Sequence, residues 1–116
     1  MSMPNSSRGP LLGGVALCIG EELAADVRDY FLGLFDVIAA KDAKVLSETK
    51  VDPETHGEIV IFVDHDPTHL QQLAAYKAAH RLTKDGCRVT VHQPPGYPYV
   101  RTWKEAAERQ RALCDR

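Results

Sequence analysis

The segment Glu58-Ile59-Val60-Ile61-Phe62-Val63-Asp64-His65-Asp66-Pro67 restricts the fold of this chain more than any other. It is a short, continuous apolar run, rich in β-branched residues, that ends abruptly in two aspartates one residue apart. β-Branched side chains are stiff and pack well on a pleated surface. A run without polar alternation is the pattern of a strand covered on both faces, as in a parallel sheet. Along such a strand side chains alternate, so Asp64 and Asp66 are expected on one side, with His65 opposite. Ligands of open α/β sheets bind beyond the carboxyl ends of the strands, which is where both acids fall. Two carboxylates held that close repel by a few kcal/mol, roughly 4 at ~4 Å and an effective dielectric of ~20. A divalent cation removes that cost, and hard oxygen donors suit Mg²⁺, with Mn²⁺ an alternative.

The rest of the chain alternates strands and helices. Val15-Ala16-Leu17-Cys18-Ile19-Gly20 reads as a first buried strand. A helix follows over about 21–35, with Leu23, Val27, Tyr30, Phe31 and Leu34 at helical spacing and Glu21 and Glu22 in its first turn, where acids complement the helix dipole. Asp36 to Ala40 gives a short second strand, and 41–57 a polar connection with the turn signal Asp52-Pro53 and a small apolar patch, Ala43 to Leu46. After the third strand, Glu58 to Asp64, a long helix is expected over about 68–84, with Leu70, Leu73, Ala74, Ala78 and Leu82 inward and Asp85-Gly86 as its stop. Cys87 to His92 alternates as a fourth strand; a Pro-rich loop, Gln93 to Tyr99, leads to a polar helix over about 101–113. This order implies right-handed βαβ crossovers and a parallel sheet covered on both faces.

At 116 residues the chain suits one domain, 15–116, behind a Ser-, Pro- and Gly-rich leader, 1–14, expected to be flexible. No apolar run approaches the ~20 residues of a membrane-spanning helix, and no membrane partner is expected. Three widely spaced cysteines, Cys18, Cys87 and Cys114, suggest neither a disulfide framework nor a zinc site. Cys18 and Cys87 read as small buried hydrophobes in strands, and a reducing cytoplasm is the simplest setting. A formal net charge of −2 is not that of a dedicated DNA binder, which normally shows a basic face.

The local sequence resembles the Toprim domain of phage and plasmid primases and related conjugation (mobilisation) proteins. The residues that carry the likeness are Ile61-Phe62-Val63-Asp64-His65-Asp66, the Ala-rich helix with Ala74-Ala75 and Ala78-Ala79, then Asp85-Gly86-Cys87-Arg88-Val89-Thr90-Val91 and Pro94-Pro95-Gly96. Thr102-Trp103-Lys104-Glu105-Ala106-Ala107 is similar to the family's closing Asp-Trp-Asn segment, without the leading acid and the Asn. The resemblance covers about 15–107 and implies a compact, Rossmann-like three-layer sandwich with about four parallel strands. It also implies metal-dependent nucleotidyl transfer or strand cleavage in DNA replication, with Asp64 and Asp66 holding Mg²⁺, on nucleic acid and beside other domains or subunits of a replication or conjugation protein. The family's first strand ends in a catalytic Glu followed by Gly. Here Ile19 precedes Gly20, so the first acidic motif is degenerate; Glu22 matches a second acidic position, and Glu21 is adjacent. His69 stands roughly where the family has a glycine.

Each residue also has a plainer reading. Asp66 before Pro67 is a good helix N-cap, though that leaves Asp64 unexplained. Glu21 and Glu22 are either catalytic substitutes for the missing acid or dipole-favoured surface acids. His65 and His69 read as exposed loop histidines. Arg88, Arg101 and Lys104 are candidate phosphate contacts or solvating charges, and Trp103 is a helix-packing anchor. His92 and Tyr97 fall on the same edge as the aspartates. Three functions are therefore open: a primase-type enzyme domain, a catalytically inactive Toprim-like module for protein or nucleic-acid binding, and a receiver-like phosphate-handling domain with Asp64 as acceptor. The last lacks a well-placed lysine.

Overall fold

The computed structural model describes residues 15–34, 36–51, 58–96 and 99–114. The leader, the Asp52-Pro53 turn, Phe35 and Tyr97 lie outside them. The buried runs form β1 (Val15–Ile19), β2 (Ile38–Ala40), β3 (Glu58–Phe62) and β4 (Arg88–His92). Between and after them lie α1 (Glu21–Tyr30), α2 (Ala43–Glu48), α3 (Leu70–Lys84) and α4 (Trp103–Cys114). All strand pairs are parallel, in the order β2-β1-β3-β4. The architecture is an α/β three-layer sandwich of Rossmann-like type, as expected.

Period-two alternation sends β1 and β3 side chains into two cores. Ala16, Cys18, Val60 and Phe62 pack against Leu23, Ala24 and Val27 of α1 and Trp103 and Ala106 of α4. On the opposite face Leu17, Ile59 and Ile61 pack against Leu46 of α2 and Ala74, Ala75, Ala78 and Leu82 of α3. Central strands buried on both faces account for the absence of polar alternation in 59–63. Cys18 is fully buried, and burial pushes its thiol up to about 12. Cys18 and Cys87 are both buried, which fits their expected role as small hydrophobes. Cys87 sits just before β4 rather than within it.

Several boundaries differ from expectation for local reasons. α1 stops at Tyr30 because Leu32 and Gly33 turn to positive φ (59° and 73°), with the Gly33 N–H donating to the Arg28 carbonyl. Leu34 is consequently exposed rather than core. β2 begins at Ile38, not Asp36: Asp36 pairs with Arg28 at 2.9 Å and accepts the Val37 N–H. The polar connection contains a helix, α2, started by Asp42, whose side chain accepts the Val45 N–H. Arg81 ties down its far end, donating to the Ser47 carbonyl at 2.9 Å and to the Thr49 carbonyl.

The inward arc of α3 is Ala74, Ala75, Ala78 and Leu82, whereas Leu70 and Leu73, expected inside, are 60% and 53% exposed. Small side chains seat the helix close to the sheet, and the leucines fall on the arc beside α2, where they border a shallow groove with Ala43 and Lys44. Gln72 is 9% exposed, and its Oε1 is buried without a hydrogen-bond partner. A buried, unmatched acceptor costs about 1–3 kcal/mol. Gln72→Met keeps the volume and removes the acceptor, so it should raise stability by about 1 kcal/mol. Urea unfolding would show this as a higher midpoint at unchanged slope.

Candidate functional site

The chain runs from β1 to β2 on one side and then returns past β1 to β3 on the other. The carboxyl ends of β1 and β3 are thus the topological switch point, where a crevice opens in folds of this class. A cleft of about 620 Å³ lies there, lined by Ile19, Gly20, Glu21, Glu22, Leu23, Asp26, Asp64, Gln71, Thr102 and Lys104. Gly20 joins β1 to α1 at φ 91°, and its N–H donates to the Ala40 carbonyl at 2.8 Å. A Cβ would meet nothing within 4 Å, so the backbone angle rather than lack of space calls for glycine.

Asp64 and Asp66 make separate contacts. β3 ends at Phe62, but Val63 still donates to the His92 carbonyl and packs on the α2 and α3 side. Asp64 returns to the side of Phe62 and Trp103, so alternation runs on to Asp64 and is lost only in the connection to α3. Asp64 lines the cleft: its Oδ1 accepts the Trp103 backbone N–H at 2.7 Å, capping α4. Its own N–H donates to Gln71 Oε1 at 3.1 Å. Asp66 does not line the cleft. Its Oδ1 accepts from the Thr68 N–H (2.9 Å) and hydroxyl (2.7 Å), and its Oδ2 from the Gln71 N–H (3.3 Å). It therefore caps α3 from a distance, while Pro67 and Thr68 form a turn and His69, at φ 63°, precedes the helix.

The two carboxyls differ in electrostatics as well. Burial holds Asp64 above the usual carboxylate range; the Trp103 N–H opposes this, and Asp26 and Glu105 add to it. Hydrogen bonds from the Thr68 side chain and backbone hold Asp66 below that range. Asp26, one turn beyond Glu22 on α1, is raised by burial and by Asp29, Glu22 and Glu108, against the opposing Lys104. Sequence reasoning missed Asp26, although its i, i+4 spacing from Glu22 puts both on one side of the helix. It missed Gln71 and the Trp103 N–H too, since both reach the site only through tertiary folding.

The remaining expected residues divide. Glu21 and Glu22 are exposed in the first turn of α1 and line the cleft, as does Lys104. Arg88 opens β4 opposite Glu58, at the amino end of the sheet. Arg101 is exposed, and its carbonyl accepts the His65 N–H at 2.7 Å. Arg88 and Arg101 line none of the cleft, so the three cations do not form one surface. His65 and His69 stand edge to face, with ring centres 6.5 Å apart. His92 lies against Phe62 in a different cleft, on the α1 and α4 face. Trp103 is the anchor expected of it: 2% exposed, it donates its indole N–H to the Val63 carbonyl at 3.0 Å.

Among the described residues no group of three or more His, Cys, Asp or Glu side chains is placed to hold a metal ion. No helix among them is long and apolar enough to cross a membrane. No family model, curated protein or solved structure matches this chain.

The raised Asp64 has a signed consequence for stability. Its folded form holds the proton more tightly than the unfolded chain, whose value is near 3.8. The stability it contributes is therefore complete below that value and is lost as pH rises through the folded value. Asn keeps an oxygen for the Trp103 N–H but carries no charge. Asp64→Asn should thus be more stable than the parent at pH 7, with the difference closing as pH falls towards about 4. Asp66→Asn should show the opposite sign, a loss at pH 7 that shrinks in acid. Thermal melts across pH 3–8 check both.

Proposed function

We propose that the chain is a Toprim-like module that keeps the fold and the switch-point cleft but binds a protein partner rather than catalysing nucleotidyl transfer. The observation that carries this reading is the division of Asp64 and Asp66 between two helix N-termini, beside a β1 end that presents Ile19. An isoleucine side chain neither transfers a proton nor ligates a metal, and the acids that follow it, Glu21 and Glu22, belong to a helix rather than to the strand end.

The charge of the cleft favours a protein partner. Glu21, Glu22, Asp26 and Asp64 face one lysine, Lys104. A phosphate backbone would be repelled there unless cations intervened. Burial, and after it the neighbouring acids, raise the proton affinity of Asp26 and Asp64, and a lysine or arginine side chain from a protein would offset both. On this reading the module serves in a larger assembly, with other domains or subunits supplying any chemistry.

One observation favours a second reading, Mg²⁺- or Mn²⁺-dependent priming or cleavage. The charge of Asp26 adds to the raised proton affinity of Asp64 across the cleft, a repulsion that a divalent cation would also relieve. Assays of the full chain with Mg²⁺ and with Mn²⁺ separate the two. The expected result is no primer synthesis and no strand cleavage, with fluorescence anisotropy showing binding to a lysine-rich peptide, weakened at least about tenfold in Asp26→Asn/Asp64→Asn, a loss of about 1.4 kcal/mol. Metal-dependent priming or cleavage that disappears in Asp64→Asn, or tighter binding to a single-stranded oligonucleotide than to the peptide, would contradict the binding-module reading.

A further inference from the structure

Among the described residues β4 is paired on one side only, by β3. The Val63 N–H donates to the His92 carbonyl at 3.0 Å, so the backbone polar groups of His92 turn towards β3. By alternation those of Thr90 and Arg88 do the same, and those of Val89 and Val91 turn outward. An unpaired ladder of this kind is normally blunted by charged side chains, lysine above all, by proline or by a bulge. Arg88-Val89-Thr90-Val91-His92 contains neither proline nor lysine, its one fixed charge, Arg88, stands at the first residue and away from the centre, and its regular pairing with β3 shows no bulge. The other edge strand, β2, is three residues long and offers far less to pair with.

We propose that two copies of the chain join through β4, antiparallel about a two-fold axis at Thr90, into one continuous sheet. The occupant of the edge is a second copy because the strand is complementary to itself in this register. Val89 meets Val91 of the second copy, and these are the residues whose N–H and carbonyl groups face outward, so they exchange reciprocal hydrogen bonds on both sides of the axis. Thr90 meets Thr90 at a non-hydrogen-bonded position, where side chains approach most closely and threonine pairs are favourable. On the α3 face Val89 and Val91, both only partly buried in the single chain, extend the apolar layer across the junction. On the other face exposed Arg88, Thr90 and His92 meet one another.

The helix above the edge fits the same symmetry. Leu70, Leu73 and Lys77 border α2, and Arg81 bonds to its end. With 3.6 residues per turn, the flank turned away from α2 carries Tyr76, Ala79 and Thr83, with Gln72 already buried at its start. A two-fold through the middle of that flank sets Tyr76, 59% exposed, over the small Ala79 of the second copy. Sheet and helix thus present matching surfaces along one edge.

The test is sedimentation velocity of the full chain from about 10 to 200 µM, with circular dichroism to confirm folding. The expected result is a doubling of mass with rising concentration. Thr90→Lys puts two like charges face to face on an exposed position and should leave only the single-chain species. Val91→Pro removes an N–H that β3 does not use, so it should also dissociate the pair while keeping the fold. In a Cys114→Ser background, Thr90→Cys should give a disulfide-linked pair on mild oxidation, because facing non-hydrogen-bonded residues lie about 4.5 Å apart at Cα. Arg88→Cys, which does not face itself, should not. A chain that stays single at 200 µM, a pair that survives Thr90→Lys unchanged, or cross-linking that is equal at both cysteines would overturn the proposal.

Discussion

Trp103 is the joint on which the rest of the site depends. Its backbone N–H donates to Asp64 Oδ1 and its indole N–H to the Val63 carbonyl, so one residue grips two neighbours just past the end of β3. Its ring meets Phe62 at 5.1 Å and Tyr30 at 5.4 Å between centres, and so links α4 to β3 and to α1. Helix N-termini need acceptors for their free N–H groups. Here the acceptor is the carboxylate that also forms a wall of the cleft. Thr102 and Glu105 complete the cap, with the Glu105 N–H donating to the Thr102 hydroxyl at 3.1 Å.

This double use sets the electrostatic character of the cleft. Asp64 receives one good hydrogen bond from the start of α4, yet burial and the neighbouring acids outweigh it. Asp66, two residues on, is satisfied by Thr68 and Gln71. Two aspartates that look equivalent in sequence therefore differ in sign: one contributes to the fold as an anion, and the other is held there at a cost. A residue kept at a cost to stability is a reasonable marker of function, and this points to Asp64 rather than to the pair.

Much of the fold was legible because burial on both faces leaves a distinctive mark. The β-branched runs 15–19 and 58–62 gave the central strands, and the helices between them implied the parallel order. Local capping was less legible. A six-residue helix such as α2 shows too little periodicity to stand out, although Asp42 was a readable N-cap. In α3, apolar spacing could not say which arc of an alanine-rich helix meets the sheet, and Leu70 and Leu73 fell outside it. The site was half legible. Strand alternation suggested a matched Asp64 and Asp66; it holds as far as Asp64, whereas Asp66 belongs to the connection that leads to α3. The partner of Asp64 lies 39 residues away, and no local pattern announces a contact of that range.

Asp64 is a half-buried carboxylate that caps α4 from the wall of the switch-point cleft. The most direct measurement is a carbon-detected NMR titration of the Asp64 carboxyl group with and without millimolar Mg²⁺. A midpoint above the ordinary value of 3.8, left in place by the cation, is expected. A midpoint at or below that value, or one that Mg²⁺ drives sharply down, would contradict it.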